Sequence, residues 1–132
     1  MQALLNFFEH FDAHALERLD QFYTEDCYFR DPFNEVHNRD QLHELFADML
    51  KLQDLRFEFR EQLQQEDKAF VTWDFHFRIL GRPQSIHGGS LLHFAADGRV
   101  QRHVDYWDAA AGVYEKIPVL GGILRQLKKR IG

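Results

Sequence analysis

Cysteine is almost absent: Cys27 stands alone in 132 residues, which excludes an internal disulfide and fits a reducing, cytoplasmic setting. No stretch is apolar enough to span a bilayer. The N-terminus, Met1-Gln2-Ala3-Leu4-Leu5, has no basic lead-in, and Glu9 and Asp12 interrupt its apolar residues, so no secretory signal is expected. Internal repeats, low-complexity segments and linkers are missing too. Gly88-Gly89 lacks the lysine and spacing of a phosphate loop, which leaves nucleotide binding without support. Among eight histidines only His10 and His14 have helical ligand spacing, and they straddle a helix break. His76 and His93 are expected to face away from His103. Neither a metal nor a cofactor is expected.

What is present suits one folded domain. Hydrophobic residues make up 45% and charged residues 28%, so a real core is affordable and disorder is not expected. Aromatics reach 14%, and thirteen of them are Phe, which suits a dense core or the wall of an apolar cavity. The net charge of −5 is unevenly spread. Residues 116–132 carry Lys116, Arg125, Lys128, Lys129 and Arg130 with no acid, leaving eleven basic against twenty-one acidic side chains elsewhere. A body of net charge −10 repels a phosphate backbone, so nucleic acid is not an expected partner.

Hydrophobic spacing divides the chain in two. Leu4, Leu5, Phe7, Phe8 and Phe11 recur at helical intervals, and Asp12 caps a second helix expected to reach about Tyr23. Cys27 to Asp31 reads as a short strand stopped by Pro32. Asn38 with Gln41 opens a third helix whose inner face is Leu42, Leu45, Phe46, Met49 and Leu50. From about residue 55 the period becomes two. Leu55, Phe57 and Phe59 alternate with polar residues, as do Val71, Trp73, Phe75 and Phe77, giving half-buried antiparallel strands. A third long strand is expected from about Ser85 to Ala95, then a hairpin at Asp97-Gly98, then a strand from Val100 to Asp108.

The hairpin predicts a register. A two-residue loop puts Ala96 opposite Arg99, Leu92 opposite His103, Ser90 opposite Asp105 and Gly88 opposite Trp107, all on the face of Phe94. The other face pairs His93 with Arg102, Leu91 with Val104, Gly89 with Tyr106 and His87 with Asp108. Each large ring thereby meets a glycine, and a one-residue slip would break both matches.

Three segments carry a family resemblance: Phe22-Tyr23-Thr24-Glu25-Asp26, Phe29-Arg30-Asp31-Pro32, and Gly98 through Asp108. Together they resemble the nuclear transport factor 2-like superfamily, in its SnoaL-like and ketosteroid isomerase-like branches. The likeness covers nearly the whole chain, so residues 1–132 are expected to form a single domain. It implies an α+β, cone-shaped cystatin-like fold, with N-terminal helices on a curved, mainly antiparallel sheet that encloses a pocket. It specifies reaction poorly, because one fold hosts many chemistries.

In ketosteroid isomerases an Asp before Pro is the general base, and it matches Asp31. Their oxyanion-hole Tyr and protonated Asp fall instead on Phe7 and Leu92, so the steroid reaction in its known form is not expected. The limonene epoxide hydrolase pattern needs an inward Arg, whereas Arg102 alternates outward. SnoaL-like cyclases place acidic and histidine side chains in the cup, and Asp31, His103 and Asp105 are the matching candidates for proton transfer. Phe29, Trp73, Phe75, Phe77, Ser90, Leu92 and Trp107 are the candidate ligand contacts, for a small hydrophobic molecule.

A plainer reading stands beside each of these. Asp31 serves equally as a turn cap, His103 and Asp105 as a satisfied polar patch with Ser90, the tryptophans as packing, and Cys27 as a small buried hydrophobe. The domain is then a non-catalytic binding module. The outward sheet face, with Phe70, Leu91, Val104 and Tyr106, implies a homodimer by the same resemblance. Residues 117–132 form a basic amphipathic tail, expected to close the pocket in preference to lying on an anionic membrane.

Overall fold

The computed structural model describes residues 1–107. The tail expected to close the pocket, and the pairing of His87 with Asp108, lie outside the described residues. Helix α1 spans Gln2–Glu9 and α2 spans Ala13–Leu16, followed by a 3₁₀ turn at Leu19–Gln21. Strands β1 (Tyr23–Arg30) and β2 (Glu35–Val36) precede α3 (Arg39–Met49). Four long strands complete the described chain: β3 (Gln53–Gln65), β4 (Lys68–Ile79), β5 (Arg82–Phe94) and β6 (Val100–Trp107).

Local chemistry sets the helix starts. Asp12 accepts a hydrogen bond from the Ala15 amide at 2.8 Å, and Asn38 accepts one from the Gln41 amide at 2.8 Å. The Gln41 side chain reaches back to accept from the His37 amide at 2.8 Å, so two otherwise unpaired donors are satisfied together.

The second helix is shorter than its apolar stripe predicts. It ends at Leu16, and Tyr23 opens β1 instead of closing a helix. The reason is tertiary: the Val100 amide donates to the Phe22 carbonyl at 2.7 Å, and Tyr23 pairs with Val100. Sheet pairing and complete burial of Tyr23 outweigh a weak local helix preference.

One six-stranded sheet results, in the order β2-β1-β6-β5-β4-β3. Every neighbouring pair is antiparallel except β1 with β6. The inner face is the expected one: Val71, Trp73, Phe75 and Phe77 are all buried. Helices α1 and α3 pack across this concave side, and Phe8, Phe11 and Phe46 interlock edge to face between them.

The expected register holds from His93–Arg102 through Gly88–Trp107. At the turn it does not. Ala95 faces Arg99, with the Ala95 amide donating to the Arg99 carbonyl at 2.7 Å and the Gly98 amide to the Ala95 carbonyl at 2.9 Å. The loop therefore has three residues, Ala96-Asp97-Gly98, with Gly98 at φ 89 as such turns require. Gln101 is then left unpaired between Val100 and Arg102, and this bulge restores the pairing.

The glycines make room for rings, though for those of β4. A Cβ at Gly88 would lie 2.8 Å from the Trp73 ring, and one at Gly89 would lie 2.7 Å from the Phe70 ring. Gly88→Ala should cost about 1–3 kcal/mol through overpacking and displace the Trp73 indole, read by denaturant unfolding and near-UV circular dichroism.

Candidate active site

Between the helices and the concave sheet lies an internal cavity of about 100 Å³. Its wall is almost wholly apolar, with Leu4, Met49, Phe57 and Val71 among the contributors. Asp31, Asp48, Ser90, His103 and Asp105 are the polar exceptions.

Four polar contacts at the cavity wall run in one chain. The buried Trp73 Nε1 donates to Ser90 Oγ at 2.9 Å. Ser90 Oγ donates to Asp105 Oδ1 at 2.5 Å. His103 Nε2 meets the same oxygen at 2.6 Å, and His103 Nδ1 meets the Tyr23 hydroxyl at 2.7 Å. The network fixes the hydrogens. A carboxylate only accepts, so Nε2 carries the ring hydrogen, Nδ1 accepts, and Tyr23 donates. Burial, then the Asp105 charge and Cys27, push the Tyr23 phenol well above its ordinary value, so it keeps the proton it donates. Asp105 Oδ2 takes part in none of these bonds.

The cross-strand register creates this order. Ser90 faces Asp105, and Leu92 faces His103. On the other edge of β6, Phe29 of β1 pairs with His103 and stacks edge-on against the imidazole at 4.8 Å. Phe8 also approaches the ring edge-on, at 6.2 Å.

Asp31 follows β1 directly and does two things. Its Oδ1 accepts from the Phe33 amide at 2.8 Å, the Asn34 amide at 2.7 Å and Asn34 Nδ2 at 3.1 Å, which closes the turn into β2. It also borders the cavity. Burial raises its pKa from 3.8 to about 6; the bond from the Phe33 amide opposes this, the Asp105 charge adds to it, and the Asn34 bonds oppose it. Folded Asp31 thus holds a proton that the unfolded chain releases near pH 3.8. Its contribution to stability is greatest below that pH and is lost as pH rises through about 6.

Nine of the ten candidate positions border the cavity: Asp31, His103, Asp105, Phe29, Trp73, Phe75, Ser90, Leu92 and Trp107. Phe77 does not. It is 2% exposed and packs against Phe75 at 5.0 Å, beyond the cavity wall. Arg102 points outward as expected, its guanidinium 4.5 Å from the centre of the Tyr28 ring. Cys27 is fully buried, and burial pushes its thiol up to about 11, an inert environment.

Sequence reasoning missed Tyr23 and Asp48. Tyr23 was hidden by helical spacing, yet the alternation through Cys27, Phe29 and Asp31 extends back to it. Asp48 lies three residues after the inward Leu45 on α3 and is ion-paired with Lys51 at 2.6 Å.

Charge coupling between the two aspartates is measurable. Carboxyl ¹³C titration should place the Asp31 midpoint near 6, and Asp105→Asn should lower it. An Asp31 midpoint unmoved by Asp105→Asn would separate the two groups.

Comparison with known proteins agrees with this architecture. The model of the SnoaL-like domain family matches residues 4–103. No curated protein matches the chain. Among solved structures, a Jannaschia sp. CCS1 protein assigned to the SnoaL-like polyketide cyclases superposes with TM-score 0.72 at 15% identity, over 86% of this chain and 88% of that one. An NTF2-like protein of unknown function from Burkholderia pseudomallei gives TM-score 0.73 at 17% identity, over 89% and 94%. A hypothetical protein with a ketosteroid isomerase-like fold from Catenulispora acidiphila, solved in complex with trimethylamine, gives 0.66 at 15% identity, over 79% and 81%. Such identities bear on the fold alone. With a family model matched over most of its length, the chain belongs to the SnoaL-like domain family, on an NTF2-like fold.

Proposed function

We propose that this domain binds a small, mainly hydrophobic molecule in the cavity and transfers a proton on it. The observation that carries the reading is the convergence of Ser90 and His103 on one oxygen of Asp105, at the wall of an apolar cavity. Both bonds fall on Oδ1, so Oδ2 is the basic atom offered to a ligand. Asp31, with a pKa near 6, is matched to giving and taking protons near neutral pH. In the proposed cycle Asp105 Oδ2 removes a proton from an acidic C–H, and protonated Asp31 gives one elsewhere on the same molecule. After product leaves, Asp105 loses its proton to solvent and Asp31 regains one from it. His103 donates from Nε2 to Asp105 Oδ1 and so orients the carboxylate. Asp31, His103 and Asp105 are the catalytic candidates.

The chemistry is tested without knowing the natural substrate. Small cyclic ketones in deuterated buffer should exchange their α-hydrogens faster with the protein than without it. Asp105→Asn should reduce that acceleration by about 10²–10⁴-fold. If wild type and Asp105→Asn exchange at one rate, proton transfer by Asp105 is excluded.

A second reading has its own support. By the ketosteroid isomerase resemblance the oxyanion donors fall on Phe7 and Leu92, both 2% exposed and apolar, and of the two only Leu92 borders the cavity. A domain that binds such a molecule without reacting would show saturable binding of the same ketones with no exchange.

Assembly is also proposed. Leu63, Phe70, Leu91 and Val104 form one row across four strands on the outward face. Leu63 is 72% exposed and Tyr106 49%, so a second copy covering this face would remove substantial apolar area from water. Val104 is only 3% exposed within the single chain, so its replacement would disturb packing before it tested an interface. Leu63→Lys with Tyr106→Lys should convert a dimer to a monomer by light scattering, with an unchanged unfolding midpoint for the monomer. A wild-type mass of one chain at micromolar concentration would refute the dimer. No helix among the described residues is long and apolar enough to cross a membrane. The single free thiol suits the cytoplasm.

A further inference from the structure

On the outward face, away from the cavity, three strands bring together ionisable side chains that are far apart in sequence. Glu58 of β3 pairs with Asp74 of β4, and Asp74 pairs with His87 of β5. His76, two residues along β4, projects from the same face. One ligand atom each from Glu58, Asp74 and His76 lies within 4.8 Å of the other two. Histidine spacing along the chain gives no sign of this, because the partners are carboxylates on a neighbouring strand.

Several features make the cluster more than a set of surface charges. His76 Nδ1 contacts Ser85 Oγ at 2.7 Å, which turns Nε2 toward Glu58 Oε1, 3.3 Å away. A hydrogen-bonded far nitrogen is the usual support of a metal-ligating imidazole. His87 Nδ1 lies 2.7 Å from Asp74 Oδ1 and can add a second nitrogen. The backbone positions are set by ladder pairing and do not depend on a loop. Side-chain exposures of 39% for Glu58, 21% for Asp74 and 28% for His76 leave the group open to solvent yet partly shielded.

The place already holds a positive charge. One Arg60 nitrogen, Nη2, lies 2.9 Å from Glu58 Oε1 and 2.8 Å from Asp74 Oδ2. A single cationic centre is thus shared by both carboxylates, as a metal ion would be. Arg60 is 52% exposed and can swing into solvent without disturbing the core.

We propose that Glu58, Asp74 and His76, with His87 available as a fourth ligand, form a surface site for a divalent transition metal of the zinc class, and that Arg60 competes with the metal for it. Mixed imidazole and carboxylate donors suit zinc, at about 2.0–2.2 Å from each ligand. At that radius ligand atoms lie about 3.4 Å apart, so atoms now within 4.8 Å of one another would close in on the ion as it binds. Metal binding and Arg60 binding exclude one another, since both need the same carboxylate oxygens. Bound metal would clamp β3, β4 and β5 on the side opposite the cavity. This inference is independent of the proton-transfer reading, because none of its residues borders the cavity.

The test is calorimetric titration of chelator-treated full-length protein with zinc alone. Wild type should bind one equivalent per chain. His76→Ala should weaken that binding at least tenfold, Ser85→Ala by about 10–100-fold, and Arg60→Gln should strengthen it. Circular dichroism of each variant confirms folding, and the unliganded unfolding midpoint should move little. The proposal is overturned if neither wild type nor Arg60→Gln binds more zinc than the triple variant Glu58→Gln, Asp74→Asn, His76→Ala. It is equally overturned if His76→Ala binds as wild type does, which would assign the zinc to other histidines.

Discussion

A carboxylate in the wall of an aromatic cavity is expensive unless donors surround it, and here three strands supply them. Ser90 comes from β5, while His103 and Asp105 come from β6. Tyr23, the first residue of β1, holds the far side of the imidazole. Removing any partner leaves a buried polar group unpaired, at about 1–3 kcal/mol. The network therefore constrains the sheet as much as the sheet constrains the network. It ties the first residue of β1 to β6, and it needs the bulge at Gln101 to restore the register before His103.

The two aspartates differ in what surrounds them. Asp105, at the cavity wall, is approached by the Ser90 and His103 side chains on one oxygen, Oδ1. Asp31 is held by backbone amides of its own turn and is raised chiefly by burial. Turn-capping and acid–base work are compatible in one residue: the bonds to Phe33 and Asn34 fix the carboxyl in place, and desolvation tunes it. Capping and a place at the cavity wall, set against each other when the sequence is read alone, describe the same side chain.

Much of this was legible in the sequence because it follows from short-range periodicity. Alternation in Val71-Trp73-Phe75-Phe77 gave the inner face of β4, and Asp97-Gly98 gave the pairing of Ser90 with Asp105 and Leu92 with His103. That register placed Ser90, Leu92, His103, Asp105 and Trp107 on one face, and the family resemblance made His103 and Asp105 the candidates among them. What was not legible depends on contacts far apart in sequence. Tyr23 lies 80 residues from His103, and its local stripe of Leu16, Leu19 and Phe22 is helical in spacing. The three-residue turn and its compensating bulge cancel within the hairpin, so alternation could not reveal either. Phe77 shares the inward face of its strand, but a strand's inner face runs on past the cavity into solid core.

The account stands on the direction of the hydrogen bonds through His103. Long-range ¹H–¹⁵N correlation spectra of the full-length protein at neutral pH report which imidazole nitrogen carries the hydrogen. The predicted result is hydrogen on Nε2 of His103, facing Asp105, with Nδ1 accepting from Tyr23, and loss of that fixed pattern in Tyr23→Phe. Hydrogen on Nδ1 would contradict it, because Asp105 would then lose its imidazole donor and its claim to be the cavity's oriented base.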